Sequence, residues 1–309
     1  MEPWRPNDLV LRRDALAGGW SDDELQRRAD RGELVRLRPG AYLPSGAGRD
    51  PLERHRRLVI ATLAALRTPS VVSHQSAAVL HGLPLWGVPL GRAHVTRRPP
   101  ASSDVGRHLR CHVARLPDDD VVVVGGIAVT SVVRTLLDLA RVLTFEPAVV
   151  LLDAALRARA VDHVVLQGRA AELGRVPGAR SAIRAVRFAD GRSESVGESR
   201  SRVLLARLGL APTTLQPEVR RYDRAFLGRA DFGWDDERVL GEFDGRIKYG
   251  RLLRPGQAPG DAVFEEKRRE DAFRDEGWGV VRWTWDDLTP EVLGPRVHRA
   301  LERGRRPPG

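Results

Sequence analysis

The first part of the chain alternates between helical and strand patterns of apolar and polar positions. Two short helices, each closed by glycine, are predicted within residues 7–32, and the second begins at a capping box formed by Ser21 and Glu24. The run 34–43 alternates apolar and basic residues and contains a Pro-Gly turn, which predicts two paired strands. Two helices followed by a two-stranded wing are the order of a winged helix-turn-helix, which we assign to residues 1–48.

The middle of the chain mixes both periodicities. Proline near the first helical position begins a predicted helix at about residue 51, and a short helix at 73–82 is closed by glycine. Residues 92–130 contain strands, including a hairpin with a Gly-Gly turn, and further helices follow. We therefore expect an α/β domain over 49–160 and an arginine-rich helical linker over 161–192.

The last third has a pattern of its own. It predicts a helix, three strands, a long helix, a strand and a final helix, at about 195–208, 215–219, 229–234, 238–244, 262–276, 278–283 and the C-terminal end. This order is typical of an α/β core built on a mixed sheet, which we assign to residues 193–300. The whole chain is thus predicted to be a multi-domain protein of the α/β (α+β) class, ending in a mixed sheet flanked by helices.

Charge and cysteine content narrow the functional classes. The chain has 51 Lys+Arg against 41 Asp+Glu, a formal charge of +10, which favours polyanionic partners such as double-stranded DNA. A single cysteine excludes an internal disulfide framework and a Cys-x-x-Cys metal site. The N-terminus lacks a signal-peptide pattern, and no apolar run approaches the length of a membrane span, so we expect a cytoplasmic protein without membrane attachment.

Candidate DNA-binding residues follow from the winged-helix pattern. A recognition helix presents polar side chains to base edges, and cations on a wing contact phosphates. A solvated helix face is the alternative explanation for the same residues. The candidates on the second helix and the wing are Gln26, Arg27, Arg28, Arg31, Arg36 and Arg38.

Two segments resemble AbiEi-type antitoxins. The run 25–42, LQRRADRGELVRLRPGAY, resembles their N-terminal winged helix, and 73–83, SHQSAAVLHGL, resembles the start of the α/β domain that follows it. The resemblance covers roughly residues 7–160 and implies a repressor of its own operon that opposes a cognate nucleotidyltransferase toxin. His74 and His81 lie seven residues apart on the second segment, and without a third ligand we interpret them as capping or core residues.

Acidic residues on two predicted strands indicate a metal site in the last third. Asp231 lies on one strand and Glu242 on the next, with Asp244 two residues further on. Acidic side chains on otherwise apolar strands are costly unless they bind something. Nucleases that cut DNA with Mg²⁺ need such carboxylates close together, and also a cation near the scissile phosphate.

This arrangement resembles the PD-(D/E)xK nucleases, in the branch near very-short-patch-repair endonucleases, over about residues 193–290. The resemblance implies that Asp231 and Glu242 bind Mg²⁺, or Mn²⁺ in its place, and that Glu198 is the helical acid of the family. Glu198 also closes a capping box with Ser195, which is its structural interpretation.

The motif lysine is the main departure from the family. Asp244 stands at its position and could share the metal, so the cation must come from Lys248 or Lys267. These are the only two lysines among the 51 basic residues. A lysine that persists in an arginine-rich chain indicates a position that needs a compact ammonium. Two functions therefore stay open: a Mg²⁺-dependent DNA endonuclease, and an antitoxin-like repressor whose nuclease-like domain is catalytically degenerate.

Overall fold

The computed structural model describes residues 8–245 and 268–305 and has mixed α/β architecture. The chain divides into two compact units, the first formed by 1–155 with 159–188 and the second by 156–158 with 189–309. The predicted α+β class is confirmed. Within the described ranges, no helix is both long and apolar enough to cross a bilayer.

The first unit begins with a small antiparallel sheet and two helices. Its elements are β1 (Val10–Leu11), α1 (Arg12–Ala17), α2 (Asp22–Asp30), β2 (Leu34–Arg38) and β3 (Ala41–Pro44). The strand order is β1-β3-β2, so the predicted pair of strands is present, with a third strand at its side. That strand occupies part of the segment expected to be helical. Ser21 Oγ accepts a hydrogen bond from the Glu24 N–H at 3.1 Å, as expected of a helix cap.

A six-stranded mixed sheet forms the centre of the first unit. The chain contributes α3 (Pro51–Ala65), β4 (Val71–Val72), α4 (His74–Leu80), β5 (Ala93–Arg97), β6 (Asp104–Val105), β7 (Leu109–Val113), β8 (Val121–Val124) and β9 (Ile127–Thr130). The strand order is β6-β7-β5-β4-β9-β8, with β5 parallel to β7. The β8–β9 hairpin confirms the turn predicted at two glycines, both of which have positive φ. Helix α4 packs on β5.

Four helices complete the described part of this unit. They are α5 (Val132–Val142), α6 (Phe145–Arg157), α7 (His163–Ala171) and α8 (Ala179–Phe188). Helix α8 packs against both α5 and α7. The segment expected to be a linker, 161–192, therefore contains helices that pack within the first unit up to Phe188. The limits drawn between domains from the sequence stay a prediction.

The second unit is built on a four-stranded mixed sheet. Its elements are α9 (Val196–Arg207), β10 (Thr214–Leu215), β11 (Glu218–Arg220), β12 (Phe226–Arg229), β13 (Phe232–Trp234), β14 (Val239–Phe243), a helix α10 described over 268–275, β15 (Gly279–Trp283) and α11 (Pro290–Gly304). The strand order is β10-β13-β14-β15. Strand β14 runs antiparallel to β13 and parallel to β15, while β11 and β12 form a separate pair.

Two glycines let aromatic rings pack against this sheet. A Cβ at Gly241 would lie 2.7 Å from the Trp283 ring, and one at Gly197 would lie 1.8 Å from the Phe243 ring. The buried Trp283 ring stacks on Phe232, with centroids 5.3 Å apart. The close approach at Gly197 thus places α9 against the end of β14, where the candidate acids lie.

Candidate functional site

Asp231 lies where the chain passes from one sheet to another. Strand β12 pairs with β11, whereas β13 pairs with β14, and Asp231 is in the break between β12 and β13. The sequence had placed it within one continuous strand. In the β13–β14 register Phe232 is opposite Gly241, so continuing that register by one residue brings Asp231 opposite Glu242. These two acids therefore lie opposite each other at one end of the two central strands of the sheet.

The Asp231 carboxylate is held in an unfavourable electrostatic environment. Burial and the negative charges of Glu198 and Glu242 raise the pKa of Asp231 to about 7. One interaction acts the other way, because Asp231 Oδ2 accepts a hydrogen bond from the Phe243 N–H at 2.7 Å. Three acidic side chains thus lie near enough to one another for their charges to interact.

Glu198 is held by hydrogen bonds at the start of α9. It is buried in the first turn of α9, where its N–H donates to Ser195 Oγ at 3.1 Å. Its Oε2 accepts from the Glu194 N–H at 2.7 Å and from Gln216 Nε2 at 2.9 Å. Burial raises the pKa of Glu198. The Glu198 carboxylate thus binds the N–H of the residue that precedes the Ser195 cap, and its charge acts on Asp231.

Glu242 is bound by two arginines that the sequence did not indicate. Arg269 on α10 donates to Glu242 Oε1 and Arg282 on β15 donates to Oε2, each at 2.8 Å. The Glu242 side chain is only 10% exposed. The parallel pairing of β14 with β15 places Glu242 directly beside Arg282. Among the residues that the structure describes, the cations next to Glu242 are therefore guanidinium groups rather than an ammonium.

The remaining nuclease candidates are only partly described. Asp244 follows β14, and its N–H donates to the Trp283 carbonyl oxygen at 2.8 Å. Lys248 and Lys267 lie outside the described residues. Over 8–245 and 268–305, Asp231, Glu242 and Asp244 do not form a group whose ligand oxygens are all within 4.8 Å of one another.

The donor set suits a hard divalent cation, with one obstacle. Mg²⁺ prefers carboxylate oxygens, and the pKa of Asp231 is raised first by burial and then by the negative charges of the neighbouring acids. Glu242, however, already has a guanidinium on each oxygen. A cation could therefore bind Asp231 directly, whereas Glu242 would have to exchange an arginine for it.

The candidate DNA-binding residues of α2 are mostly engaged with acids. Arg27 and Arg28 both bind Glu24, at 2.9 and 2.7 Å, and Arg31 binds Glu33 at 2.8 Å. Gln26 donates to Asp30 at 2.8 Å in the same way. Contacts from these exposed side chains to DNA would have to replace ion pairs or hydrogen bonds of modest strength.

The two wing arginines, on strand β2, lie near the basic residues of the β6–β7 turn. Arg36 is exposed, while Arg38 is partly buried and donates to the Ala61 carbonyl oxygen at 3.4 Å. Their charges, together with that of Arg107, act on His108 in the β6–β7 turn and help lower its pKa below the usual value, after the larger effect of burial. We call Arg36, Arg38, Arg107 and His108 the wing cluster.

A group of three histidines was missed at the sequence level. His74 at the start of α4, His94 on β5 and His112 on β7 bring one ring nitrogen each within 4.8 Å of the others. In the sequence His74 is grouped with His81, but His81 Nε2–H donates to the Thr130 carbonyl oxygen at 2.7 Å. The spacing of the three histidines along the sequence does not indicate the group, because the group depends on the parallel pairing of β5 with β7.

Comparison with known proteins does not assign a function, so the functional argument rests on the geometry described above. No family model matches the sequence. The chain is 30% identical over 184 residues to the uncharacterized proteins Rv2248 and MT2308 from two strains of Mycobacterium tuberculosis. The match covers 59% of this chain and 65% of each relative, so it spans less than two thirds of their length. Among solved structures, the chain is similar to the RV2827C protein of M. tuberculosis, with 18% identity, a TM-score of 0.38 and coverage of 69% of this chain and 80% of that one.

Proposed function

We propose that the protein binds double-stranded DNA and that its second unit hydrolyses DNA phosphodiesters with the aid of Mg²⁺ or Mn²⁺. The observation that carries this proposal is the environment of Asp231, a partly buried carboxylate whose pKa is raised to about 7 beside Glu198 and Glu242. Placing an ionised carboxylate in such an environment costs free energy of folding unless the charge binds a partner or takes part in catalysis. A divalent cation would relieve the repulsion and supply a Lewis acid at a scissile phosphate.

The residues around the acids would have distinct roles. Asp231 would bind the cation. Glu242 would bind the same cation once one of its two arginines moves away, and Glu198 would orient the Asp231 side chain. Asp244 is a further candidate ligand, as the family resemblance implies. Arg269 and Arg282 already lie at Glu242, so a guanidinium could stabilise the charge of the pentavalent transition state. Lys248 and Lys267 remain candidates for the same task.

DNA binding is proposed for the first unit. The wing cluster combines cations from strand β2 and from the β6–β7 turn, and a surface of this kind suits the regularly spaced phosphates of a duplex. Neutralising phosphates releases condensed counterions, which makes such binding strongly dependent on salt. Action on DNA also favours a cytoplasmic location.

A plasmid-nicking assay with Mg²⁺ or Mn²⁺ tests the catalytic part. We expect Asp231→Asn and Glu242→Gln to lose cleavage by about 100-fold or more, the scale of removing a preorganised charge from a transition state. Asp236→Asn, in the exposed turn between β13 and β14, is the matched control and should cleave normally. Lys248→Ala and Lys267→Ala determine whether an ammonium is needed. Absence of metal-dependent cleavage by the wild type, across supercoiled, nicked and mismatched substrates, would exclude the enzyme.

A second function is favoured by the two arginines on Glu242. Both carboxylate oxygens are already neutralised, and an aspartate stands where the family has lysine, as in a nuclease domain that has lost its chemistry. The protein would then be an antitoxin-like repressor with a cognate toxin as its partner. Specific binding to its own promoter without cleavage, and suppression of a neighbouring nucleotidyltransferase toxin, would support this alternative.

A further inference from the structure

We propose that His74, His94 and His112 form a binding site for a zinc-class transition-metal ion in the first unit. The three side chains come from α4, β5 and β7, and one ring nitrogen of each lies within 4.8 Å of the other two. His74 is buried, and His94 and His112 are partly exposed. Three imidazoles with access from solvent are the protein ligands of one common type of zinc site, whose fourth position is completed by water or substrate.

A chain of hydrogen bonds determines which nitrogens face one another. Gln75 Nε2 donates to the Pro89 carbonyl oxygen at 3.3 Å and lies 2.7 Å from His94 Nε2, so it also donates to that ring nitrogen. His94 must then carry its proton on Nδ1, which lies 3.0 Å from His112 Nε2. The Nδ1 of His94 and the Nε2 of His112 therefore converge, with a single proton between them.

A metal ion would take the place of that proton. Two nitrogen ligands of a tetrahedral zinc ion, each at about 2.0–2.1 Å, lie roughly 3.3 Å apart. The His94–His112 pair at 3.0 Å therefore needs to open only slightly. His74 stacks on His112 with centroids 3.7 Å apart and planes 14° from parallel. Because nitrogen lone pairs lie in the ring plane, the His74 ring must rotate to direct a nitrogen at the same ion.

The surroundings of the His74 ring favour Nε2 as its ligand atom. Its Nδ1 lies 3.0 Å from Ser73 Oγ, which also accepts a hydrogen bond from Thr96 Oγ1 at 2.8 Å. A metal-binding histidine usually has its second nitrogen fixed in this way by a neighbouring polar group. The expected ligand set is thus His74 Nε2, His94 Nδ1 and His112 Nε2.

The chemistry of the donors selects the metal. Imidazole nitrogen suits zinc, copper and nickel, whereas magnesium prefers oxygen. Burial, followed by the charge of His112, lowers the pKa of His94 to about 3, and burial lowers that of His112 to about 4, so both rings are neutral and able to coordinate at neutral pH. The positive charges of Arg110 and Arg141 also act on His112 and would reduce the affinity for a cation.

Zinc titration of the full-length, untagged chain after treatment with EDTA tests the site. We expect one zinc ion to bind per chain and to raise the Tm by about 5 °C when free zinc exceeds its Kd 100-fold. His94→Ala and His112→Ala should abolish both effects, while His298→Ala, an exposed histidine of the second unit, should leave them unchanged. Mg²⁺ should not compete, and Asp231→Asn should bind zinc normally, which separates this site from the proposed nuclease site.

A substitution at Gln75 distinguishes metal binding from a purely structural role of the three histidines. Coordination through His94 Nδ1 moves the ring proton to Nε2, so the group at position 75 must then accept a hydrogen bond rather than donate one. Gln75→Glu supplies an acceptor and should tighten zinc binding by about 10-fold, the lower end of known effects of such supporting groups. Circular dichroism of each variant without metal verifies that it folds. Failure of the wild type to bind zinc, or retention of binding by folded His94→Ala and His112→Ala, would overturn the proposal.

Discussion

The carboxylate of Asp231 accepts a hydrogen bond from the backbone N–H of Phe243 at 2.7 Å. This contact fastens the break between β12 and β13 to the end of β14, immediately after Glu242. It also keeps a negatively charged oxygen at a position where burial and three further acids, Glu198, Glu242 and Glu194, oppose ionisation. The Asp231 carboxylate is therefore fixed in position by a hydrogen bond, while its surroundings oppose its negative charge.

Asp231 should make the protein less stable as the pH rises. Its pKa is about 7 in the folded chain, against an ordinary value of 3.8, so between these values the folded state holds a proton that the unfolded state lacks. The free energy of unfolding should fall across this window. Asp231→Asn should therefore be more stable than the wild type at pH 8, by up to about 4 kcal/mol, with the difference vanishing near pH 4.

Urea denaturation followed by tryptophan fluorescence at several pH values measures this effect. The second unit contains four of the seven tryptophans, so its unfolding should dominate the signal. Mg²⁺ should reduce the gap between wild type and variant at pH 8 if the cation binds the ionised carboxylate. A stability difference that does not depend on pH would contradict the assigned pKa.

The arginines on Glu242 should be needed for stability. Arg282→Met leaves a 10%-exposed carboxylate with one guanidinium instead of two and should cost about 1–3 kcal/mol. Arg220→Met removes an exposed pair with Glu218 on the same unit and should cost less than about 1 kcal/mol. Equal losses in chemical denaturation would show that the Glu242 pairs contribute no more than surface pairs.

The wing should determine the salt dependence of DNA binding. Arg36 is exposed and has no ion pair among the described residues, so Arg36→Ala should lower the slope of log K against log salt by about 0.9 per lost phosphate contact. The double change with Arg38→Ala should lower it further. Arg27→Ala, at a position already paired with Glu24, is the control and should have a smaller effect. Fluorescence anisotropy at several salt concentrations gives these slopes, and an unchanged slope in the double variant would argue against the wing.

Two glycines should respond to alanine in opposite directions. Gly197→Ala would place a methyl group 1.8 Å from the Phe243 ring and should destabilise the second unit by about 1–3 kcal/mol or more. Gly168 lies in α7 with open space around it, and Gly168→Ala should stabilise the first unit by about 0.5–1 kcal/mol because alanine favours the helix. Thermal denaturation of both variants measures the effects, and a neutral Gly197→Ala would contradict the close packing of α9 on β14.

The local elements could be predicted because their causes are local. Ser21 begins α2 through its own side chain, and the glycines at 125 and 126 supply the positive φ values that the β8–β9 turn requires. The opposition of Asp231 and Glu242 followed from two adjacent strands joined by a short turn. Each of these depends on residues within about a dozen positions of one another, where chain connectivity already limits the possible geometry.

Contacts between distant parts of the chain were decided by tertiary structure alone. Arg269 and Arg282 reach Glu242 from 27 and 40 residues away, and nothing in the pattern around Glu242 selects them over the many other arginines. The three histidines meet because β7 pairs in parallel with β5 and α4 packs on that sheet. Strand order and helix packing depend on the burial of the whole apolar core, so residues brought together by them have no signature in their spacing along the sequence.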